Sequence, residues 1–248
     1  MTSSITSHPF PSYLIIGAQK CGTTSLYHYL IQHPQINPTK TRREIHFFDT
    51  KFYGKGIEWY KNQFIHSPNM ITGEATPRYL YNAIVPERVY KHFPNIKLII
   101  LLRNPVERAF SQYKMEFEKE KKRLRYNDTE KYSFDSIIEA GLHNHNNRWI
   151  DYLERGIYSK QIKRWLKYYP IEQFHIIKSE QFFRNPKSSY KRVLRFLDIE
   201  EFQLNDYKRY QKSQTAINMN PNTKRKLQAF YEPYNKELNE LLGRKFDW

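Results

Sequence analysis

Cysteine and long apolar runs are the scarcest features of this chain. Cys21 is the single cysteine among 248 residues, so no disulfide can form within the chain. No apolar run approaches the roughly 20 residues that a transmembrane helix needs. The amino-terminal segment MTSSITSHPFPS lacks the apolar region of a secretory signal peptide. These absences lead us to expect a cytoplasmic protein with no stable membrane insertion.

Acidic residues are few relative to basic ones. The chain has 25 Asp and Glu against 41 Lys and Arg, which gives a formal net charge of +16 at pH 7. This excess favours anionic ligands such as nucleotides, sulfated compounds, nucleic acid or anionic lipid, and by itself selects none of them. The sequence shows no recognition helix, zinc-ligand spacing or aromatic RNA-binding motif, so we expect no nucleic-acid partner. The oligomeric state is left open.

The stretch GAQKCGTTS, from Gly17 to Ser25, has the arrangement of a phosphate-binding loop. An apolar strand precedes it, and a segment with helical spacing follows Gly22. Backbone amides of such a loop, with the amino terminus of the following helix, bind phosphate oxygens. A nucleotide kinase would have a lysine after Gly22, where this chain has Thr23, whereas Lys20 lies inside the loop. The loop therefore predicts an anion other than the β- and γ-phosphates of ATP.

Apolar strand patterns alternate with helical patterns along the chain. The clearest strands are YLIIG, which starts at Tyr13, and IKLIILL, which lies between Pro94 and Pro105. Such alternation predicts an α/β fold: a single P-loop-like domain with a central, mainly parallel sheet flanked by helices. No internal repeat or domain-scale linker interrupts the pattern. We expect a flexible leader over residues 1–12 and one domain over 13–248.

A second anion site is predicted where the strand IKLIILL ends. A P-loop nucleotide hydrolase would have an aspartate there to serve Mg²⁺, but this strand is followed by Arg103. A guanidinium suits a phosphate and cannot bind a metal. Ser111 lies about two helical turns further on and can add a hydroxyl. Two such sites favour a nucleotide with separated phosphates. The alternative is that Arg103 only pairs with Glu107.

Several motifs together resemble one enzyme family. IIGAQKCGTTSL resembles the 5′-phosphosulfate loop of the sulfotransferases that use 3′-phosphoadenosine 5′-phosphosulfate (PAPS), and LIILLRNPVERAFSQY resembles their 3′-phosphate motif. REIHFFD, GEATPRYL, VPERVY, RGIYSKQIKRWLKYYP and LLGRKFDW are similar to the heparan sulfate sulfotransferase branch and its bacterial relatives. An ordered set of motifs is more specific than one glycine loop. The resemblance implies metal-independent transfer of a sulfuryl group from PAPS, with 3′,5′-adenosine bisphosphate (PAP) as product.

The resemblance also implies which residues bind the donor. Lys20 would lie beside the oxygen that bridges phosphorus and sulfur, where it would stabilise the charge that develops during transfer. Tyr158, in RGIY, matches a tyrosine near the nucleotide. Lys212 and Ser213 occupy the place of a Lys-Gly pair over the nucleotide, with Gln214 in place of an arginine. The expected donor-binding residues are Lys20, Cys21, Gly22, Thr23, Thr24, Ser25, Arg103, Ser111, Tyr158, Lys212 and Ser213.

REIHFFD offers three groups for the acceptor side: Glu44, His46 and Asp49. An acceptor that attacks sulfur must lose a proton, which needs a carboxylate or imidazole within about 3 Å. If the segment is extended, Glu44 and His46 point to the same face. The resemblance puts the base at Glu44, with His46 as a partner or second base. The alternative for His46 is a structural role beside Phe47 and Phe48.

Two departures from the heparan sulfate branch bear on the acceptor. GEATP places Ala75 where the branch often has a lysine, and the single cysteine cannot form the disulfide hairpin of the extracellular members. Both departures favour a small-molecule or carbohydrate acceptor with a hydroxyl or amine, whose identity stays open. Rival hypotheses are a P-loop nucleotide kinase and a non-catalytic nucleotide-binding member of the fold. The presence of Lys20, Glu44 and His46 argues against the second.

Overall fold

The computed structural model describes residues 10–123, 133–143, 151–211 and 217–248. The backbone clusters into two compact units. The sheet unit comprises Met1–Leu102 and Ile162–Gln211, and the helical unit comprises Arg103–Gln161 and Lys212–Trp248. Most of the predicted leader lies outside the described residues. Its last residue, Ser12, is buried and its amide donates to the Thr72 carbonyl oxygen at 2.8 Å.

Five strands form one sheet in the sheet unit. Their sequences are short and apolar, as expected of parallel strands covered on both faces. The strands are β1 (Tyr13–Gly17), β2 (Ile36–Asn37), β3 (Ile71–Ala75), β4 (Lys97–Leu102) and β5 (Phe174–Lys178). They pair in the order β2-β3-β1-β4-β5, and every pairing is parallel. The predicted α/β fold with a parallel central sheet is therefore confirmed.

Helices connect the strands and make up most of the helical unit. Asn104 starts the second-longest of them, because its side chain accepts from the amides of Val106 at 3.0 Å and Glu107 at 3.3 Å. The helices are α1 (Thr23–Leu30), α2 (Ile57–Lys61), α3 (Val85–His92), α4 (Pro105–Arg123), α5 (Phe134–His143), α6 (Asp151–Glu154), α7 (Tyr158–Leu166), α8 (Ser179–Arg184), α9 (Pro186–Phe196) and α10 (Pro221–Leu242). Across the described ranges, no helix is long and apolar enough to span a bilayer.

The helical unit has its own apolar core. Side chains of α4, α5, α6 and α10 meet there, among them Phe110, Ile137, Leu153 and Leu227. The core also contains a charged residue, Arg108, which is fully buried and donates to Gln112 Oε1 at 2.8 Å and to a backbone carbonyl of α6. These bonds fasten α4 to α6 inside the unit.

The order in which strands are added to the sheet changes direction at β1, although all strands are parallel. From β1 the chain passes to β2 and β3 on one side, and from β3 it crosses to β4 and β5 on the other. In open sheets of this kind, ligands bind beyond the carboxyl ends of the strands at such a reversal. Within the sheet unit, that edge is where the loop after β1 and the segment after β3 begin.

Gly73 is required where β3 meets β1. A β-carbon on Gly73 would lie 2.3 Å from the Tyr13 carbonyl oxygen, which belongs to the paired strand and cannot move aside. We expect Gly73→Ala to lower the free energy of unfolding by about 1–3 kcal/mol, measured by urea denaturation. Gly54→Ala is the control, because a β-carbon there would meet nothing within 4 Å. Equal unfolding free energies for the two variants would contradict this account of β1–β3 packing.

Candidate active site

The loop between β1 and α1 has the backbone of an anion-binding loop. Lys20 and Gly22 have φ angles of 69° and 103°, both in the left-handed region. At Gly22 a β-carbon would also lie 2.9 Å from the Phe183 ring, so glycine is needed there twice over. Gly22 gives the first turn of α1 no side-chain cap, and that turn contains no acidic residue. Such a helix terminus leaves amide donors for an anion.

Other loop residues are held from inside the sheet unit. Cys21 is fully buried, its amide donates to the Ala18 carbonyl at 3.2 Å, and its carbonyl accepts from the Ser179 hydroxyl at 2.8 Å. The Thr24 hydroxyl donates to Gln211 Oε1 at 3.1 Å. The Ser25 hydroxyl is buried and accepts from a backbone amide of the segment before Gln211 at 3.0 Å. The loop is thus fixed on its protein side, and its contacts with a donor stay predictions.

Lys212 and Ser213 lie outside the described residues, so their role in binding the donor stays a prediction. The segment that leads to them is fastened to α1. The Tyr29 hydroxyl donates to the carbonyl oxygens of Tyr207 at 2.9 Å and Lys208 at 3.0 Å. The described part of this segment is therefore held against the helix that follows the phosphate-binding loop.

The segment 43–49 lies beside the carboxyl end of β3. The Ala75 amide donates to the Arg43 carbonyl at 3.3 Å, and the Ile45 amide donates to Glu74 Oε2 at 3.0 Å. The segment is not extended at His46, whose φ is 57°, so the condition under which Glu44 and His46 would share a strand face is not met. The amides of this segment bond to side chains instead of to a neighbouring strand, which frees it from strand geometry.

His46 lies between two carboxylates. Its Nδ1 is 3.0 Å from Asp49 Oδ2, and its Nε2 is 3.4 Å from Glu44 Oε2. The Asp49 side chain is fully buried and lies 3.7 Å from Arg78 Nε. The hydrogen bond to Asp49, followed by that to Glu44, raises the pKa of His46 to about 9. His46 is therefore a cation at neutral pH.

Glu44 is an ionised carboxylate that solvent reaches. Burial is the largest single influence and raises its pKa, but hydrogen bonds from His46 and Arg43 outweigh burial and bring the pKa below its usual value. The side chain of Glu44 is 34% exposed, and Arg43 contacts one of its oxygens. At neutral pH, Glu44 can accept a proton and the charged His46 cannot. Among the residues that the structure describes, no group of His, Cys, Asp and Glu could hold a metal ion.

Arg103, Ser111 and Tyr158 all belong to the helical unit. Arg103 follows the last residue of β4, and its guanidinium lies 3.6 Å from Glu107 Oε2, so the alternative pairing is present. Ser111 is four residues beyond Glu107 on α4, on the same helix face. The Tyr158 hydroxyl donates to the Arg103 carbonyl oxygen at 2.9 Å, and the residue is only 1% exposed. Tyr158 thus fixes the backbone of Arg103, and its contact with a nucleotide stays a prediction.

Glu74 is a site residue that the sequence does not reveal. It stands in GEATPRYL, but nothing in its spacing shows that its side chain is fully buried beneath the segment 43–49. The amide that it accepts from segment 43–49 is 29 residues away in sequence, which explains why local patterns do not indicate this role. In the sequence, the two segments are connected only by their order as motifs, with REIHFFD before GEATPRYL.

Comparison with known proteins gives consistent results. The family model described as "Sulfotransferase domain" matches residues 10–237. Human heparan sulfate glucosamine 3-O-sulfotransferase 5 is 34% identical over 264 residues, which cover 96% of this chain and 74% of that protein. A match of this extent shows the family and confirms the resemblance found in the motifs.

Solved structures agree with the fold. A crystal structure of a sulfotransferase from Alicyclobacillus acidocaldarius matches with a TM-score of 0.78 and 28% identity, over 95% of this chain and 97% of that one. Mouse sulfotransferase SULT7A1, solved as a complex with PAP, matches with a TM-score of 0.50 and 15% identity, over 88% of this chain and 63% of that one, which shows the fold alone. Nothing in these matches favours a nucleotide kinase. The chain belongs to the sulfotransferase domain family, whose chemistry is the transfer of a sulfuryl group.

Proposed function

We propose that this protein transfers a sulfuryl group from PAPS to a hydroxyl or amine of a carbohydrate or small molecule, with Glu44 as the general base. The observation that carries this proposal is the state of Glu44, an ionised and reachable carboxylate beside a protonated His46. Glu44 belongs to the segment bonded to the carboxyl end of β3, and the phosphate-binding loop leaves the paired strand β1 at the same edge. The base and the donor loop thus lie beside the ends of adjacent strands.

The donor-binding residues follow from the loop and from the family. Bound PAPS would supply the sulfuryl group. The amides at the start of α1, with Thr23 and Thr24, would hold its 5′-phosphate. Lys20 would place its ammonium where negative charge grows on the leaving oxygen, so its attraction strengthens in the transition state. Arg103 and Ser111 would hold the 3′-phosphate. Membership of the sulfotransferase domain family supports a nucleotide of this class.

On the acceptor side, Glu44 takes the proton that the attacking oxygen or nitrogen loses. His46 cannot compete for that proton because it is already charged. Its positive charge instead keeps Glu44 ionised, and Asp49 on its other side keeps His46 charged. Asp49, His46 and Glu44 thus form a chain of alternating charges, in which Asp49 raises the pKa of His46 and His46 lowers the pKa of Glu44.

A carbohydrate is the acceptor class that we favour. The relative named above is described as acting on heparan sulfate glucosamine. The Arg43 guanidinium contacts Glu44, and the Arg78 guanidinium, whose side chain is 51% exposed, lies 3.7 Å from Asp49, the other carboxylate bonded to His46. They supply positive charge beside an acceptor even though Ala75 replaces the lysine of the branch. A neutral or weakly anionic sugar therefore fits the surroundings of Glu44.

The charge on His46 has a pH signature. Its folded pKa is raised from 6.5 to about 9, so its contribution to stability is complete below 6.5 and is lost as pH rises through about 9. We expect the His46 ring to titrate with a midpoint near pH 9, while Glu44 stays ionised throughout this range. Asp49→Asn should move the His46 pKa down towards 6.5, because it removes the leading cause of the shift. Histidine ring NMR titration, assigned with His46→Gln, measures both values. A His46 that titrates near 6.5 in the unaltered protein would contradict the charge chain.

Removal of the base should separate chemistry from binding. Glu44→Gln keeps the size of the side chain but cannot take a proton, so transfer should fall by about 10²–10⁴-fold while PAP affinity by calorimetry is unchanged. Glu58→Gln is the matched control, because Glu58 is an exposed partner of Lys61 on α2. Transfer is measured with labelled PAPS and a panel of sugars, phenols and amines. Normal turnover in Glu44→Gln and none in His46→Ala would make His46 the base. PAP binding without transfer to any acceptor would favour the non-catalytic alternative.

Two substitutions test whether Arg103 binds a 3′-phosphate or only pairs with Glu107. If Arg103 binds the 3′-phosphate, Arg103→Ala should weaken PAP binding by about 1.5–3 kcal/mol and leave AMP binding unchanged. Glu107→Gln removes the ion pair at 3.6 Å but keeps Arg103, so it should preserve or strengthen PAP binding. Calorimetry in EDTA measures the binding of PAP and AMP to the unaltered protein and to both variants. Equal affinities for PAP and AMP in the unaltered protein would rule out a 3′-phosphate site.

A further inference from the structure

Glu74 is a fully buried carboxylate near the end of β3. Burial of such a group is costly unless hydrogen bonds satisfy it. Its Oε1 accepts from the hydroxyls of Tyr60 and Tyr79, each at 2.9 Å. Its Oε2 accepts from the Ile45 amide at 3.0 Å and from the Thr76 hydroxyl at 2.5 Å. Burial raises the pKa of Glu74, and these four bonds oppose that rise.

The bonds around Glu74 extend to four consecutive backbone amides. The first amide donates to Glu74 itself, and the hydroxyls of Thr76 and Tyr79 accept the next three. Buried amides must find partners, and these four find them in side chains rather than in strand carbonyls. The four donors are Ile45 to Glu74 at 3.0 Å, His46 to Thr76 at 3.4 Å, Phe47 to Tyr79 at 3.0 Å and Phe48 to Tyr79 at 3.4 Å.

The same amides surround the left-handed turn at His46. A residue other than glycine adopts positive φ only when its surroundings enforce it, because that backbone conformation is unfavourable for a residue with a β-carbon. Here the amide of His46 and those on either side are fixed by the Glu74 network. This left-handed turn positions the His46 ring so that its Nε2 lies 3.4 Å from Glu44 Oε2.

We propose that Glu74 is a positioning residue for the transfer reaction: through Tyr79 and Thr76 its carboxylate fixes the turn that holds His46 against Glu44. This inference rests on the proposed role of Glu44 as the base. Glu74 acts through backbone amides, so it is separate from the groups that exchange a proton with the acceptor.

Two tyrosines allow a matched test. Tyr60 and Tyr79 are both fully buried, and each donates to the same oxygen of Glu74 at the same distance. Only the Tyr79 hydroxyl also accepts amides from the segment that carries His46. Tyr60→Phe and Tyr79→Phe each remove one hydroxyl and keep the ring. We expect both to lower the melting temperature, and only Tyr79→Phe to reduce turnover, by about 10–100-fold, with PAP affinity unchanged.

A second readout does not depend on transfer. If Tyr79 fixes the turn, Tyr79→Phe should move the NMR titration of His46 towards 6.5, the ordinary histidine value, and Tyr60→Phe should leave it in place. Glu74→Gln should match Tyr79→Phe in turnover and titration wherever it folds. Identical turnover and identical His46 titration in the two tyrosine variants would overturn the proposal. If the unaltered protein transfers nothing, the proposed function fails, and the His46 titration still decides whether Glu74 fixes the turn.

Discussion

Parallel strands end in amides and carbonyls that need new partners, and the candidate site is built around that constraint. After β1, the first turn of α1 receives no side-chain cap from Gly22, which leaves donors for an anion. Beside β3 no such donors are left among residues 45–48. Their amides all form hydrogen bonds, either to Glu74 or to the Thr76 and Tyr79 hydroxyls that donate to Glu74. One strand end therefore offers donors to a ligand, while its neighbour uses donors to hold a turn.

Local patterns predicted the fold and the donor loop because their causes are local. Uninterrupted apolar runs define β1 and β4, and Gly22 stands where the backbone is left-handed, a conformation that favours glycine. The turn at His46 could not be predicted, since the bonds that enforce it join residues 29–32 positions apart. Glu44 and His46 were expected to meet on the face of an extended segment. They do meet, but across a left-handed turn.

The charges around Glu44 lower its pKa and so make the proposed base weak. Glu44 touches two cations, Arg43 and His46, and its pKa is lowered, so it is a weak base. A weak base suits a reaction in which the acceptor becomes acidic only as its bond to sulfur forms. His46 owes its own charge first to the buried Asp49. A carboxylate that solvent does not reach therefore contributes to the lowered pKa of Glu44 indirectly, through the charge on His46.

Cys21 gives the phosphate-binding loop a built-in reporter. Its thiol is fully buried, and it is the single cysteine of the chain. Thiols react as exposed thiolates, so an alkylating reagent can modify the native chain only when the loop between β1 and α1 opens. The rate of alkylation then measures the free energy of that opening directly, without a label introduced at another residue. An anion bound by the loop amides would slow alkylation in proportion to its occupancy.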